Sequence, residues 1–440
     1  MVPRNPRRSL VAIGAGGLAL SLALAGCSAG GSDSTEGGTS LTFLVDNGEA
    51  TVATAEALAD AFTAENPDIS IEVETRPQGA DGDNVVKTRL ATGEMDDIFQ
   101  YNSGSLMQAL SPDDTLVNLG DEDYVDKFDD NFVQSVSTDN GLYGVPMGQS
   151  MAGAVLYNKD IYEQLGLEIP TTWDEFIANS EAIKAAGVAA PIVQTYGDTW
   201  TSQLFVLGDF NNVLAENPDW AEEYTNNEAK YVDEPALAGF EHLQEAFDKG
   251  LFNEDYASAK YADGVTMVAT GEGAQYPMLT FAAGQLMTTN PEAADVVGTF
   301  PLPGPDASTN GLTVWMPTNT VYIPKSTEGD KLEAAKKFLE FLTTPESCDI
   351  QSEANAPQGP FVVEGCELPE DVPAVVSDLQ PYFDEGKTNL ALEFLSPIKG
   401  PALEQITVAV GSGITSAADG AAQYDEDVKK QAQQLGIEGW

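Results

Sequence analysis

The stretch GLYGVPMGQSMAGAVLYNKDIYEQLGLEIPTTWDE, Gly141–Glu175, decides how the rest of the chain is read. It divides into three pieces. A turn at Gly141–Pro146 leads into the apolar run Ala152–Tyr157, which polar residues bound on both sides, as expected of a buried strand. A short helix follows from Lys159 to Leu165, and Gly166 stands where a glycine ends a helix by turning left-handed. Ile169-Pro170-Thr171-Thr172 then breaks the pattern. Thr172 lies three residues before Glu175, the spacing at which a threonine hydroxyl and a glutamate carboxylate cap a helix start reciprocally. Taken alone, this is a strand–helix–helix segment of an α/β domain.

Upstream, the same alternation continues. Leu41–Val45 (LTFLV) reads as a buried strand, and Thr51–Ala64 as an amphipathic helix with Val52, Ala55, Leu58, Ala59 and Phe62 on one face. Asn66-Pro67-Asp68 ends that helix, Ile69–Val73 alternates as a second strand, and a helix over about residues 84–91 leads to a third strand near Ile98–Tyr101. Strands alternating with helices imply a parallel sheet covered by helices. Ligands of such sheets sit beyond the carboxyl ends of the strands, which makes Asp46–Glu49 and Tyr101–Ser103 candidate loops. Downstream, short strands are expected at Ala190–Val193, Val296–Pro303, Gly311–Met316 and Val321–Pro324, with helices over Glu234–Lys249, Leu332–Phe341 and Asp425–Leu435. No internal repeat is present.

Composition bounds the function. A chain of 440 residues has material for two or three domains, and 42% hydrophobic with 20% charged residues is a globular mix. The 20 Lys and Arg against 70 Asp and Glu give a net charge of −50. Nucleic acid is thereby excluded as a partner, since neutralising phosphates needs basic clusters that this chain lacks. With a single histidine, His242, no His-dependent metal cluster is possible and a Ser-His-Asp triad is disfavoured. No glycine-rich phosphate loop or zinc-protease motif occurs, so no metal, no cofactor and no catalytic residue is expected. A carboxylate pair of glycosidase type is not excluded by counting, although spacing selects none.

The N-terminus is a targeting segment. Arg4, Arg7 and Arg8 precede an apolar run at Leu10–Ala25, too short and wrongly flanked for a membrane span but right for a signal peptide. Leu24-Ala25-Gly26-Cys27 resembles a bacterial lipobox, which implies cleavage after residue 26 and lipid on Cys27. Residues 27–40, rich in Gly, Ser and Thr, are expected to be a flexible tether. Cys348 and Cys366 then remain as an even pair in an exported protein, so a disulfide between them is expected. Closing a loop of that size contributes roughly 3 kcal/mol through the entropy of the unfolded chain.

Four motifs in register, Gly144-Val145-Pro146, Leu156-Tyr157-Asn158-Lys159-Asp160, Gly166-Leu167 and Pro170-Thr171-Thr172-Trp173-Asp174-Glu175-Phe176, resemble the hinge-proximal signature of extracellular solute-binding proteins. The resemblance is narrowest to the sugar-binding, maltose-binding-protein-like class that serves ABC importers, and it extends from about Leu41 to the C-terminus. Gly197-Asp198-Thr199-Trp200 is similar to the class's second-lobe ligand loop, and Phe281 stands where a tryptophan is frequent. The resemblance implies an α/β periplasmic-binding-protein-like fold: two lobes, a three-segment hinge and a ligand cleft between them. The lobes are expected at 41–148 with 317–385 and at 149–316 with 386–440, and Asn389–Pro401 is expected to carry the third crossing.

By the same resemblance, the ligand residues are Asn47, Glu49, Tyr101, Asn102, Gln149, Ser150, Asp198, Trp200, Phe281 and Trp315. The set suits a neutral sugar, whose apolar faces stack on aromatic rings and whose hydroxyls need amide and carboxylate partners. Trp173 is expected to be structural, and Trp220 to pack in a surface excursion. The implied protein is a monomeric receptor, held by lipid on the outer face of the cytoplasmic membrane, that closes on a sugar and presents it to permease subunits. Two alternatives stay open: a receptor for a peptide, polyamine or other cation, and a secreted carbohydrate-active enzyme.

Overall fold

A computed structural model of the protein describes residues 38–440. The signal peptide, Cys27 and most of the expected tether lie outside the described residues. The strands in chain order are β1 (Thr39–Asp46), β2 (Ile69–Arg76), β3 (Ile98–Tyr101), β4 (Ser137–Thr138), β5 (Gly141–Leu142), β6 (Gly144–Pro146), β7 (Met151–Asn158), β8 (Ala190–Ile192), β9 (Gly273–Leu279), β10 (Val297–Pro301), β11 (Leu312–Trp315), β12 (Thr320–Tyr322) and β13 (Thr388–Leu390). They form two main sheets. The first has the order β2-β1-β3-β12-β6, and the second β13-β11-β7-β9-β8 with β10 also on β7; β4 and β5 make a small hairpin.

In the first sheet β1 runs parallel to β2 over its whole length and parallel to β3; β12 is antiparallel to β3, and β6, antiparallel to β12, again runs in the direction of β1. The helix Glu49–Glu65 buries Ala55, Leu58, Ala59 and Phe62. That is the face its spacing predicts. Phe62 meets Phe338 of the helix Asp330–Phe341 edge to face at 5.2 Å between centroids, so a late segment of the chain completes the first core. β1 begins at Thr39, two residues inside the expected tether, because Thr39 and Ser40 already pair with Ile69 and Ser70.

The Gly141–Glu175 stretch folds as its residues dictate. Every residue of β7 is buried, which is why it lacks the alternation of a half-exposed strand. The helix Lys159–Leu165 ends on Gly166 at φ 65°. Thr172 and Glu175 form the reciprocal cap of the helix Trp173–Ala186. Trp173 is buried and donates from Nε1 to Glu245 Oε2 at 2.8 Å while stacking on His242 at 3.8 Å. Trp220 differs from expectation. It is 2% exposed and stacks on Tyr224 at 5.0 Å inside the second core, because the helices Phe210–Glu216 and Trp220–Thr225 fold inward instead of forming a surface excursion.

Three segments cross between the sheets. The first is 147–150, from β6 to β7, and the second 316–319, from β11 to β12; they lie side by side, with the Met147 N–H donating to the Asn319 carbonyl at 2.7 Å. The third comes earlier than expected. Glu364 still bonds Lys127 on the first lobe, but Ala374 bonds Ala294, and the helix Ala374–Ser377 packs on β10 of the second sheet. Leu368, Val372, Val375 and Val376 make this transfer favourable by burying apolar surface in the second lobe. Residues 374–377 thus sit on the second sheet and not, as expected, with the first lobe. By Asn389 the chain is already a strand, β13, paired with β11. The expected disulfide joins Cys348 to Cys366, with Cα atoms 5.7 Å apart.

Candidate functional site

The carboxyl ends of β1, β2 and β3 carry Asp46, Arg76 and Tyr101, and β1 and β2 end in register, Asp46 beside Arg76. A polar network forms there because adjacent strand ends bring unlike side chains together. Asp46 Oδ1 accepts from the Gly48 N–H at 2.8 Å and from Gln78 Nε2 at 3.1 Å. The Asp46 N–H donates to Gln100 Oε1 at 3.1 Å, and Arg76 donates to the Gln100 carbonyl and Oε1, both at 3.3 Å. Gln100 Nε2 donates to Asn319 Oδ1 at 2.9 Å, which ties the network to the second crossing.

The expected first-lobe residues surround this network in unequal ways. Asn47 and Glu49 are exposed, Asn47 holding only a backbone bond to Arg76 and Glu49 opening the first helix. Tyr101 is fully buried, with the Arg76 guanidinium 5.6 Å from its ring centre. Burial and the neighbouring Asp83 carboxylate push its hydroxyl far above the ordinary tyrosine range. The hydroxyl and Arg76 Nε are both buried without a partner. Asn102 accepts at its carbonyl from the Tyr322 hydroxyl at 3.1 Å. Asp46 opens the candidate loop Asp46–Glu49, but Arg76, Gln78 and Gln100 were not foreseen. Their signal was position: Arg76 ends β2, Gln78 follows two residues later and Gln100 is the last but one residue of β3, all at the ligand end of the sheet.

On the second lobe, Trp200, Tyr261 and Phe281 form a ring cluster. The centroid separations are 5.4 Å for Trp200–Tyr261, 5.8 Å for Trp200–Phe281 and 5.1 Å for Tyr261–Phe281, within the range of favourable aromatic pairs. All three rings are half-buried. Asp198 holds the cluster together by accepting the Tyr261 N–H at 2.9 Å, at the start of the helix Tyr261–Thr270. Tyr261 is a member that sequence reasoning missed.

Two further groups differ from the simple picture of a polar lining. Ser150 donates its hydroxyl and its N–H to the Pro360 carbonyl, at 2.9 and 2.8 Å, and Gln149 accepts at its carbonyl from Gln358 Nε2 at 3.3 Å. Trp315 is 3% exposed and packs against Gly153, where a Cβ would meet its ring at 2.7 Å. The structure therefore brings together the strand-end network and, separately, the ring cluster. Among the described residues no hydrogen bond or ring contact joins one to the other. Two surface cavities of about 320 and 570 Å³ lie elsewhere on the second lobe, and neither includes an expected ligand residue. Among the described residues there is no cluster of His, Cys, Asp and Glu fit to hold a metal, and no helix is long and apolar enough to cross a membrane.

Two α/β lobes, three crossings and polar strand ends facing the crossings define a hinged, two-lobed binding protein. The chain belongs to the bacterial extracellular solute-binding protein family, whose profile matches residues 46–347. It is 25% identical over 326 residues to the multiple sugar-binding protein of Streptococcus mutans, covering 73% of this chain and 74% of that one. To the melibiose/raffinose/stachyose-binding protein of Bacillus subtilis it is 23% identical over 385 residues, 82% and 84% of the two chains. Its fold is similar to that of a chitin oligosaccharide binding protein, with TM-score 0.77 and 21% identity over 90% of this chain and 99% of that one. It is also similar to RafE solved in complex with raffinose, with TM-score 0.73 and 20% identity over 90% and 99%. These relatives are solute-binding proteins, and the chain is an exported protein of that kind, not an enzyme.

Proposed function

We propose that this protein is the sugar receptor of an ABC importer. It captures an uncharged sugar or oligosaccharide between its lobes by hinge closure, and hands it unchanged to permease subunits. Trp200 and Phe281, with Tyr261, offer stacking faces on the second lobe, while Asn47, Glu49, Tyr101, Asn102 and the Asp46–Arg76–Gln100 network offer hydrogen bonds on the first. Trp315 and Gln149, both buried beside the crossings, would form the base of the cleft. Ser150 serves that base through its backbone position, its own donors being engaged. The protein acts as a monomer, held at the outer face of the cytoplasmic membrane by lipid on Cys27 after removal of residues 1–26.

The observation that carries this reading is the half-buried ring cluster, whose three aromatics lie within 5.8 Å of one another beside the Asp198 loop. Rings so placed suit the apolar faces of pyranoses. Sugar-binding relatives on both the sequence and structure sides support the same ligand class. The membrane anchor rests on the Leu24-Ala25-Gly26-Cys27 tetrad. The test is calorimetric titration with melibiose, raffinose, stachyose and chitin oligosaccharides at low and high salt. One sugar should saturate at one per protein with an affinity indifferent to salt. If only a polyamine or cationic peptide binds, and salt weakens it, the acidic net charge of −50 governs recognition and the sugar reading fails. Mass spectrometry of lipid on Cys27 tests the anchor.

A further inference from the structure

We propose that Asn355–Phe361 is a clasp that sets the angle between the lobes, and that the Cys348–Cys366 disulfide holds its base on the first lobe. The inference rests on the hinged two-lobe reading but not on what the ligand is. The clasp leaves and re-enters the first lobe. Its outgoing arm follows the helix Pro345–Ala354, which packs on the helix Glu49–Glu65. Its returning arm bonds the first lobe twice: Val362 accepts from the Asp129 N–H at 2.9 Å, and the Glu364 N–H donates to Lys127 at 2.8 Å. The disulfide ties the two arms together, closing a loop whose ends are 18 residues apart.

The tip reaches the other side of the hinge. Pro360 accepts both the N–H and the hydroxyl of Ser150, at 2.8 and 2.9 Å, at the second-lobe end of the first crossing. Gln358 donates to the Gln149 carbonyl at 3.3 Å and accepts at its own carbonyl from the Thr280 hydroxyl. That hydroxyl in turn accepts from the Ala152 N–H of β7 at 3.0 Å. Asn355 rests against Gly284, and Ala356 packs into the second lobe's core. Gly359 lies so close to Ser150 that a Cβ would stand 2.3 Å from its carbonyl oxygen.

These contacts make a connection between the lobes beyond the three crossings, non-covalent at its tip and covalently closed at its base. Any swing of the second lobe about the two adjacent crossings must either carry the clasp along or break the Pro360 and Gln358 bonds. The disulfide restricts the first choice, because it shortens the free length of the arms. The clasp therefore biases the resting angle toward the one seen here, and the hinge must overcome it to open.

The test uses two variants of the purified, ligand-free protein. Cys348→Ser with Cys366→Ser frees the base, and Gly359→Ala lifts the tip while leaving the disulfide intact. Hydrogen exchange is read at the Ser150 amide, with the β1 amides as a reference for global stability, and small-angle scattering reads the separation of the lobes. Both variants should speed Ser150 exchange by about tenfold or more over the change in β1, as expected for local opening. Both should also increase the radius of gyration. Ser150 exchange that stays slow in either variant, or that rises only as much as β1, overturns the proposal. So does an unchanged radius of gyration. No sugar enters the experiment, so its failure is distinct from failure of the sugar reading.

Discussion

Asp209 and His242 form a buried pair in the second lobe, and replacing Asp209 with Asn should change how stability depends on pH. Asp209 Oδ1 and His242 Nδ1 are 4.0 Å apart, the side chains 3% and 12% exposed. His242 is pinned by its stack on Trp173, and Asp209 accepts from Asn212 at 2.8 Å. Burial pushes the Asp209 carboxyl up to about 8 from 3.8, with the Glu216 and Glu234 charges adding to it and the Asn212 bond opposing. Burial alone pushes His242 down to about 3 from 6.5. No hydrogen bond joins the groups, and His242 Nδ1 is buried without a partner, so burial acts on each separately: the folded protein holds one proton, on Asp209, between pH about 3 and about 8. The unfolded chain has released both protons above 6.5. Between 6.5 and about 8 the folded state thus binds one proton more than the unfolded, and stability falls as pH rises. At about 1.4 kcal/mol per pH unit the loss is about 2 kcal/mol across that window. On the acid side the sign reverses, since below 3.8 the unfolded chain holds the extra proton.

Asp209→Asn keeps an acceptor for Asn212 but removes the titrating carboxyl. Urea unfolding of both proteins at half-unit pH steps is the assay. From pH 6.5 to 8 the stability advantage of wild type over the variant should shrink by about 2 kcal/mol. Below pH 6.5 the variant should lose stability on acidification, because its neutral His242 must pay to remain uncharged. Parallel curves for the two proteins between pH 6.5 and 8 would refute a proton held on Asp209.

Trp200→Ala should weaken sugar binding by about 1–2 kcal/mol through loss of one stacking face, measured by calorimetry with the tightest sugar of the panel. Melting temperature should move less, because the ring is only half-buried. Gly153→Ala should cost about 1–3 kcal/mol of stability in urea unfolding, since the new methyl displaces the buried Trp315 ring. Thr172→Ala should cost about 1 kcal/mol by removing the cap on the Glu175 N–H, and the helix Trp173–Ala186 should show faster hydrogen exchange in its first turn.

The elements whose signal is local were legible before any coordinates. The Lys159–Leu165 helix, its Gly166 stop and the Thr172–Glu175 cap depend on residues within one turn of each other, and each appears as read. The alternating strands of the first sheet were equally plain. What escaped depends on distant partners. Arg76 and Gln100 are 24 positions apart, and nothing near either one announces that their strands end side by side. Trp220 looked like surface because its neighbours Asn217, Asp219 and Glu222 are polar, yet Tyr224 and Tyr231 close over it. The third crossing was placed too late because the 367–373 segment has no regular period, only isolated apolar residues that pack into the second lobe. Ser150 shows the limit for site residues. Its type suits a sugar hydroxyl, but Pro360, 210 positions away, takes its donor.

The central claim, capture of an unaltered sugar by closing two hinged lobes, is tested most directly by small-angle scattering during titration with the sugar that binds most tightly. The radius of gyration should fall and level off at one sugar per protein, and the sugar recovered afterwards should be intact. Saturable binding with no contraction, or recovery of a cleaved sugar, would contradict it.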